Sequence, residues 1–99
     1  MSEFRVRNDT GAPLDEVRLT PAGAEQPLLL GPLPPGEASD YQAAPEVHRY
    51  PPVEASGPDG DLVHLPYAGT DQPGLPEGRY TYLLRVESGR LVVDLVSED

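Results

Sequence analysis

This chain of 99 residues contains no cysteine, no tryptophan, no lysine and a single phenylalanine. Without cysteine there is no disulfide and no thiolate zinc site, and composition says nothing of redox compartment. Apolar runs are short, the three leucines 28–30 being typical, so no segment reads as a transmembrane helix. No window of ten or more residues shows a helical period, and few lack a proline or glycine. No signal peptide is visible, because Met1-Ser2-Glu3 leads directly into Phe-Arg-Val-Arg. As written, the sequence reads as cytoplasmic; a leader upstream of Met1 would make it periplasmic or extracellular instead.

Arginine supplies every one of the seven cations, against 17 acids, for a formal charge of −10. Phosphate would repel such a chain, which argues against nucleic acid and anionic membrane surfaces as partners. A GC-rich genome explains arginine without lysine; a salt-adapted surface would explain the acidic excess. The acids are spread along the chain rather than clustered, which favours solubility over mimicry of nucleic acid or capture of a basic partner.

Ninety-nine residues make one domain, 1–99, with one modest core. The 13 prolines and ten glycines read as punctuation between short strands. The most specific stretch is 78–96. If Ser88-Gly89 is a two-residue loop, Glu87 faces Arg90, Val86 faces Leu91, Leu84 faces Val93 and Tyr82 faces Leu95. These apolar pairs then share one side of a hairpin, while Arg85, Leu83 and Thr81 share the other with Val92, Asp94 and Val96. A one-residue slip would set Tyr82 against Asp94, so the pattern favours this register.

Further strands are expected upstream. Phe4 and Val6 alternate with charged neighbours, and Asn8 to Pro13 is a turn cluster in which Gly11 can take positive φ. Val17 and Leu19 point inward on a second strand, with Leu14 out of phase. Leu28 to Leu30 reads as a strand buried on both sides or at a sheet corner; a single helical turn is the alternative, and the length and the bounding Pro27 and Gly31 favour strand. Gly31 to Gly36, rich in proline, reads as a stiff exposed connection. Glu37 to Gln42 reads as an edge strand, and Val47 to Val53 as a second edge interrupted by Pro51 and Pro52. Ser56 to Asp61 is a turn. Leu62 to Tyr67 is a strand with Val63, Leu65 and Tyr67 inward and Leu62 and His64 outward. Ala68 to Glu77 is a long loop.

Short strands at roughly ten-residue spacing signal a β-sandwich. Pro76-Glu77-Gly78-Arg79-Tyr80-Thr81-Tyr82-Leu83-Leu84-Arg85-Val86 resembles the penultimate strand of immunoglobulin-like and fibronectin-like domains. Pro35-Gly36-Glu37 is similar to the turn such domains place before a strand. The resemblance implies an all-β, seven- or eight-stranded antiparallel immunoglobulin-like β-sandwich, of the kind found in small bacterial lipoproteins and secreted proteins. It implies a binding or structural role and transfers no functional residues.

Chemistry-bearing residues are sparse. No Gly-x-Ser-x-Gly elbow or His-Glu-x-x-His pair is present. His48 and His64 lie on different strands and read as surface residues. Asp59-Gly60-Asp61 is the best candidate for a metal, with Asp71 or Glu54 as a third oxygen donor, although Asp-Gly turns form for backbone reasons alone. The acid pairs Asp15-Glu16 and Glu98-Asp99 read as solvated. Tyr41, Tyr50 and Tyr67 are candidates for an interaction surface, since tyrosine buries a ring while keeping its hydroxyl wet. Tyr80 and Tyr82 belong to the hairpin's core side. The expectation is a non-enzymatic module needing no cofactor, which binds a protein partner or self-associates through an edge strand, without membrane insertion. The alternative is a small calcium- or zinc-binding or hydrolytic domain using Asp59, Asp61 and a histidine.

Overall fold

A computed structural model describes residues 2–21, 25–44, 47–49, 51–58, 60–64 and 74–98. Among them are eight strands: β1 (Ser2–Asn8), β2 (Glu16–Leu19), β3 (Leu28–Leu30), β4 (Gln42–Ala44), β5 (Val53–Gly57), β6 (Gly60–His64), β7 (Arg79–Glu87) and β8 (Arg90–Ser97). They form two four-stranded sheets, β4-β1-β7-β8 and β3-β2-β5-β6. The inner faces of both sheets feed one core, an all-β arrangement consistent with a sandwich. No helix among the described residues is long and apolar enough to cross a membrane.

The β7–β8 hairpin has the expected register, from Glu87 opposite Arg90 to Tyr80 opposite Ser97. Ser88 and Gly89 form the turn with φ of 50° and 77°. Two successive positive φ values give the mirror-image turn whose twist matches that of paired strands. Tyr82, Leu84, Leu91 and Val93 are buried on the inner face. Each such burial stabilises the fold by about 1.5–3 kcal/mol. Val86 shares that face by phase, yet it is exposed at the open end of the sandwich, where it borders a pocket with Gly89 and Leu62.

β1 alternates as expected, with Phe4 and Val6 inward, and Ser2 and Asn8 are buried beside them. Its pairing with β7 is parallel, from Glu3 opposite Arg79 to Asn8 opposite Leu84. This corrects the expectation of a wholly antiparallel fold. A parallel pair needs a long crossover, and here the entire second sheet lies between the two strands in sequence.

The buried Asn8 amide organises the adjoining turn. Its Nδ2 donates to the carbonyls of Ala12 (2.7 Å) and Leu33 (2.8 Å), and its Oδ1 accepts from the Thr10 amide (3.0 Å) and hydroxyl (2.6 Å). Gly11 takes φ of 85° in this turn. Leu33 is thereby drawn inside and exchanges two backbone hydrogen bonds with Leu14, at 3.0 and 2.8 Å. The proline-rich connection is therefore not wholly exposed, because it delivers Leu33 to the core.

Four further expectations change. The edge strand on β1 is Gln42–Ala44 rather than Glu37 to Gln42. Its upstream part also lies along β1: the Asn8 amide donates to the Glu37 carbonyl (2.9 Å), the Ser39 amide donates to the Val6 carbonyl (2.8 Å), and the Ser39 hydroxyl accepts the Val6 amide (3.0 Å), around an Arg7–Ala38 bridge. The strand expected at Val47 to Val53 begins instead at Val53, after the two prolines, and runs to Gly57 in the middle of its sheet. β3 is an edge strand, so Leu29 is 66% exposed rather than buried on both sides. Finally, β6 is phased opposite to expectation. Leu62 pairs with Ala55 and His64 with Val53, so both face the core while Val63 faces solvent. Leu65 and Tyr67 lie outside the described residues.

Candidate functional site

Three places among the described residues bear on a candidate site. The first lies between the free edges of β3 and β4. β3 is hydrogen-bonded to β2 on one side only, and β4 to β1 on one side only. The connection between them crosses from one sheet to the other and is pinned by the Leu14–Leu33 bridge and by Asn8. It leaves a shallow groove of about 340 Å³, lined by Leu29, Leu30, Pro32, Leu33, Asp40 and Gln42 among others. Leu29 sits opposite Arg18, which in turn sits opposite Glu54. Arg18 is held by Glu16 (2.9 Å) and Glu54 (3.1 Å), so this leucine borders an ion-paired surface.

The second place is Tyr41, a residue singled out by the sequence. Its ring lies 4.9 Å from the Arg5 guanidinium carbon and 5.3 Å from that of Arg79, measured to the ring centroid. Arg5 also donates to the Thr81 hydroxyl (3.0 Å) and lies 4.0 Å from Glu98, while Arg79 lies 3.5 Å from Glu3. The tyrosine face is thus occupied by cation–π contacts within the chain. The other two candidates, Tyr50 and Tyr67, lie outside the described residues.

The third place is the end of the sandwich where three turns meet. A pocket of about 380 Å³ there is lined by Thr10, Leu14, Asp61, Leu62, Val86 and Gly89 among others. Asp61 is exposed at its rim and accepts a hydrogen bond from the Ser56 hydroxyl at 3.0 Å. Its proposed companion Asp59, and Asp71, lie outside the described residues. Among the described residues no three acidic or histidine side chains converge on a point where an ion would sit.

The histidines read as surface residues in the sequence, and the structure places both half-buried. The His48 carbonyl accepts the hydroxyl of Tyr82, whose burial pushes that hydroxyl above its usual range. His64 faces the core, with Nε2 buried and lacking a hydrogen-bond partner. Burial lowers its pKa, against a smaller opposing effect from a backbone hydrogen bond to Leu91.

Leu29 is one of the residues the sequence pattern misplaced, as are Leu62, Val63 and His64. For Leu29 the usable signal was the length of its strand: three residues between Pro27 and Gly31-Pro32 is the short format of an edge rather than of a buried strand. Comparison of the chain with protein-family models, with curated proteins and with solved structures returns no match.

Proposed function

We propose that this chain is a non-enzymatic, immunoglobulin-like β-sandwich that serves as a protein-interaction module and offers the free edge of β3 to a partner strand. The observation that carries the reading is Leu29, a large apolar side chain 66% exposed in the middle of an edge strand. Edge strands present unpaired backbone groups and are commonly blunted by charge. β3 is Leu-Leu-Leu and has none. An exposed apolar side chain on an open edge suits strand addition, in which main-chain bonds supply affinity and alternate side chains supply specificity. Three residues make a short ladder, so the contact is expected to be transient.

The immunoglobulin-like part of the reading is supported at the start of β7. The Tyr80 hydroxyl donates to the Pro76 carbonyl four residues upstream. That arrangement is similar to the tyrosine corner of such sandwiches, and it falls within the stretch that resembles their penultimate strand.

Light scattering over a range of concentrations, on the parent and on Leu29→Ser, tests whether the partner is a second copy. Mass that rises with concentration in the parent alone assigns the edge to self-association. A parent that stays monomeric throughout removes that form and leaves a different protein as the partner.

A further inference from the structure

We infer that the strand docking on β3 is basic: an extended segment of another protein in which aliphatic residues alternate with Lys or Arg. This rests on the reading of β3 as the docking edge. Between Arg18 and Arg49 the sequence holds no cation, while it holds Glu25, Glu37, Asp40 and Glu46. That stretch supplies β3, β4 and the connection between them. The cations that approach this region are already paired: Arg18, opposite Leu29, is held by Glu16 and Glu54, and Arg5 and Arg79 meet the ring of Tyr41. Arg5, Arg7, Arg79 and Arg85 all belong to β1 and β7, and each already lies beside a carboxylate, of Glu98, Asp9, Glu3 and Asp94 respectively. Among the described residues, Glu25, Glu37 and Asp40 are in no ion pair, so the β3 side keeps a net negative charge. It repels a second copy of a chain whose charge is −10 and draws in a cationic segment.

The geometry sets the alternation. A strand added to β3 sends successive side chains to opposite faces. One set lies beside Leu29 on the outer face, where an aliphatic neighbour covers exposed apolar surface. The other set enters the groove between β3 and β4, where the exposed Asp40 shares the lining with Leu29, Leu30 and Leu33. A Lys or Arg fits there because its stem packs on the leucines while its head meets the acid.

The test uses fluorescence anisotropy with three short labelled peptides: alternating Val-Lys, alternating Val-Glu, and Val-Lys with every second amide N-methylated. Val-Lys is expected to bind, several-fold more weakly at high than at low salt. Val-Glu and the N-methylated peptide are expected not to bind. Leu29→Ser and Asp40→Asn should each weaken Val-Lys binding several-fold; both residues are exposed, so both variants should fold. Equal binding of the N-methylated peptide, or binding indifferent to both substitutions, reduces the effect to charge and overturns the inference. If Val-Lys fails to bind while the parent forms Leu29-dependent oligomers, the docking edge stands and the basic partner falls. A monomer that binds none of the peptides removes both.

Discussion

Val53 on β5 lies directly opposite His64 on β6, on the core side of the second sheet. The pairing puts an imidazole next to a fully buried valine, with its Nε2 shut away from any hydrogen-bond partner. Protonation there is disfavoured, and the His64 pKa is lowered by burial. The unfolded chain binds that proton more readily. Stability from this group is therefore complete above the ordinary histidine value of about 6.5 and is lost as pH falls through the lower folded value. Thermal melts from about pH 8 to about pH 5 should show the parent losing ground against His64→Leu as pH falls, since the range brackets histidine titration. A gap between the two that does not change with pH would place His64 in water-like surroundings.

Leu84 and Leu29 should part company under substitution. Leu84 is fully buried opposite Val93, so Leu84→Ala should destabilise by about 2–5 kcal/mol. Leu84→Asp should prevent folding by burying an unpaired charge. Leu29→Ser removes an exposed side chain and should change stability by no more than about 0.5 kcal/mol. Urea denaturation read by circular dichroism measures all three. A Leu84→Asp protein that unfolds with the parent's midpoint would refute the hairpin register.

Asn8 should be among the most sensitive polar positions. Asn8→Ala strands the carbonyls of Ala12 and Leu33 and removes the acceptor for Thr10, a loss of about 3 kcal/mol. Asn8→Asp should be no better, because it turns an acceptor toward the two carbonyls that Nδ2 now satisfies. Denaturant midpoints would show it, and an Asn8→Asp variant of parental stability would count against this network.

The hairpin turn allows a test in the stabilising direction. Ser88 holds φ of 50°, which asparagine adopts more readily than serine. Ser88→Asn should therefore stabilise by about 0.5 kcal/mol. Gly89→Ala, at φ of 77°, should destabilise by about 1–2 kcal/mol, although the added methyl meets no atom within 4 Å. Calorimetric midpoints moving in opposite directions for the two variants would bear this out; a neutral Gly89→Ala would mean that the turn relaxes to another type.

The hairpin was legible because its two strands lie next to each other in sequence and only one register matches their faces. β6 was not, because Leu62, Val63, His64 and Leu65 offer an apolar residue to either phase. What decides between the phases is the partner strand, whose inward residues are Val53 and Ala55. Three leucines in a row likewise carry no period, so β3 did not reveal that one side faces water. Tyr41 stands out in the sequence as a tyrosine able to bury its ring at an interface. Its ring is instead met by Arg5 and Arg79, from opposite ends of the chain, a relation that local pattern does not record. Asn8 was read as a turn former, which it is, but its hold on Leu33 spans the second strand and shows only in three dimensions.

The parallel seat of β1 between β4 and β7 bears on how the molecule comes into being. β1 is an interior strand of its sheet, and its longest ladder joins it to β7, which the whole second sheet separates from it in sequence. Until that ladder forms, Phe4 and Val6 have no finished inner face to join. Such long sequence separation slows folding and prolongs the life of incomplete states whose strand edges invite aggregation. A net charge of −10 gives waiting chains a mutual repulsion that opposes their association. High salt during refolding should therefore lower the yield of this protein more than it lowers the stability of the finished fold.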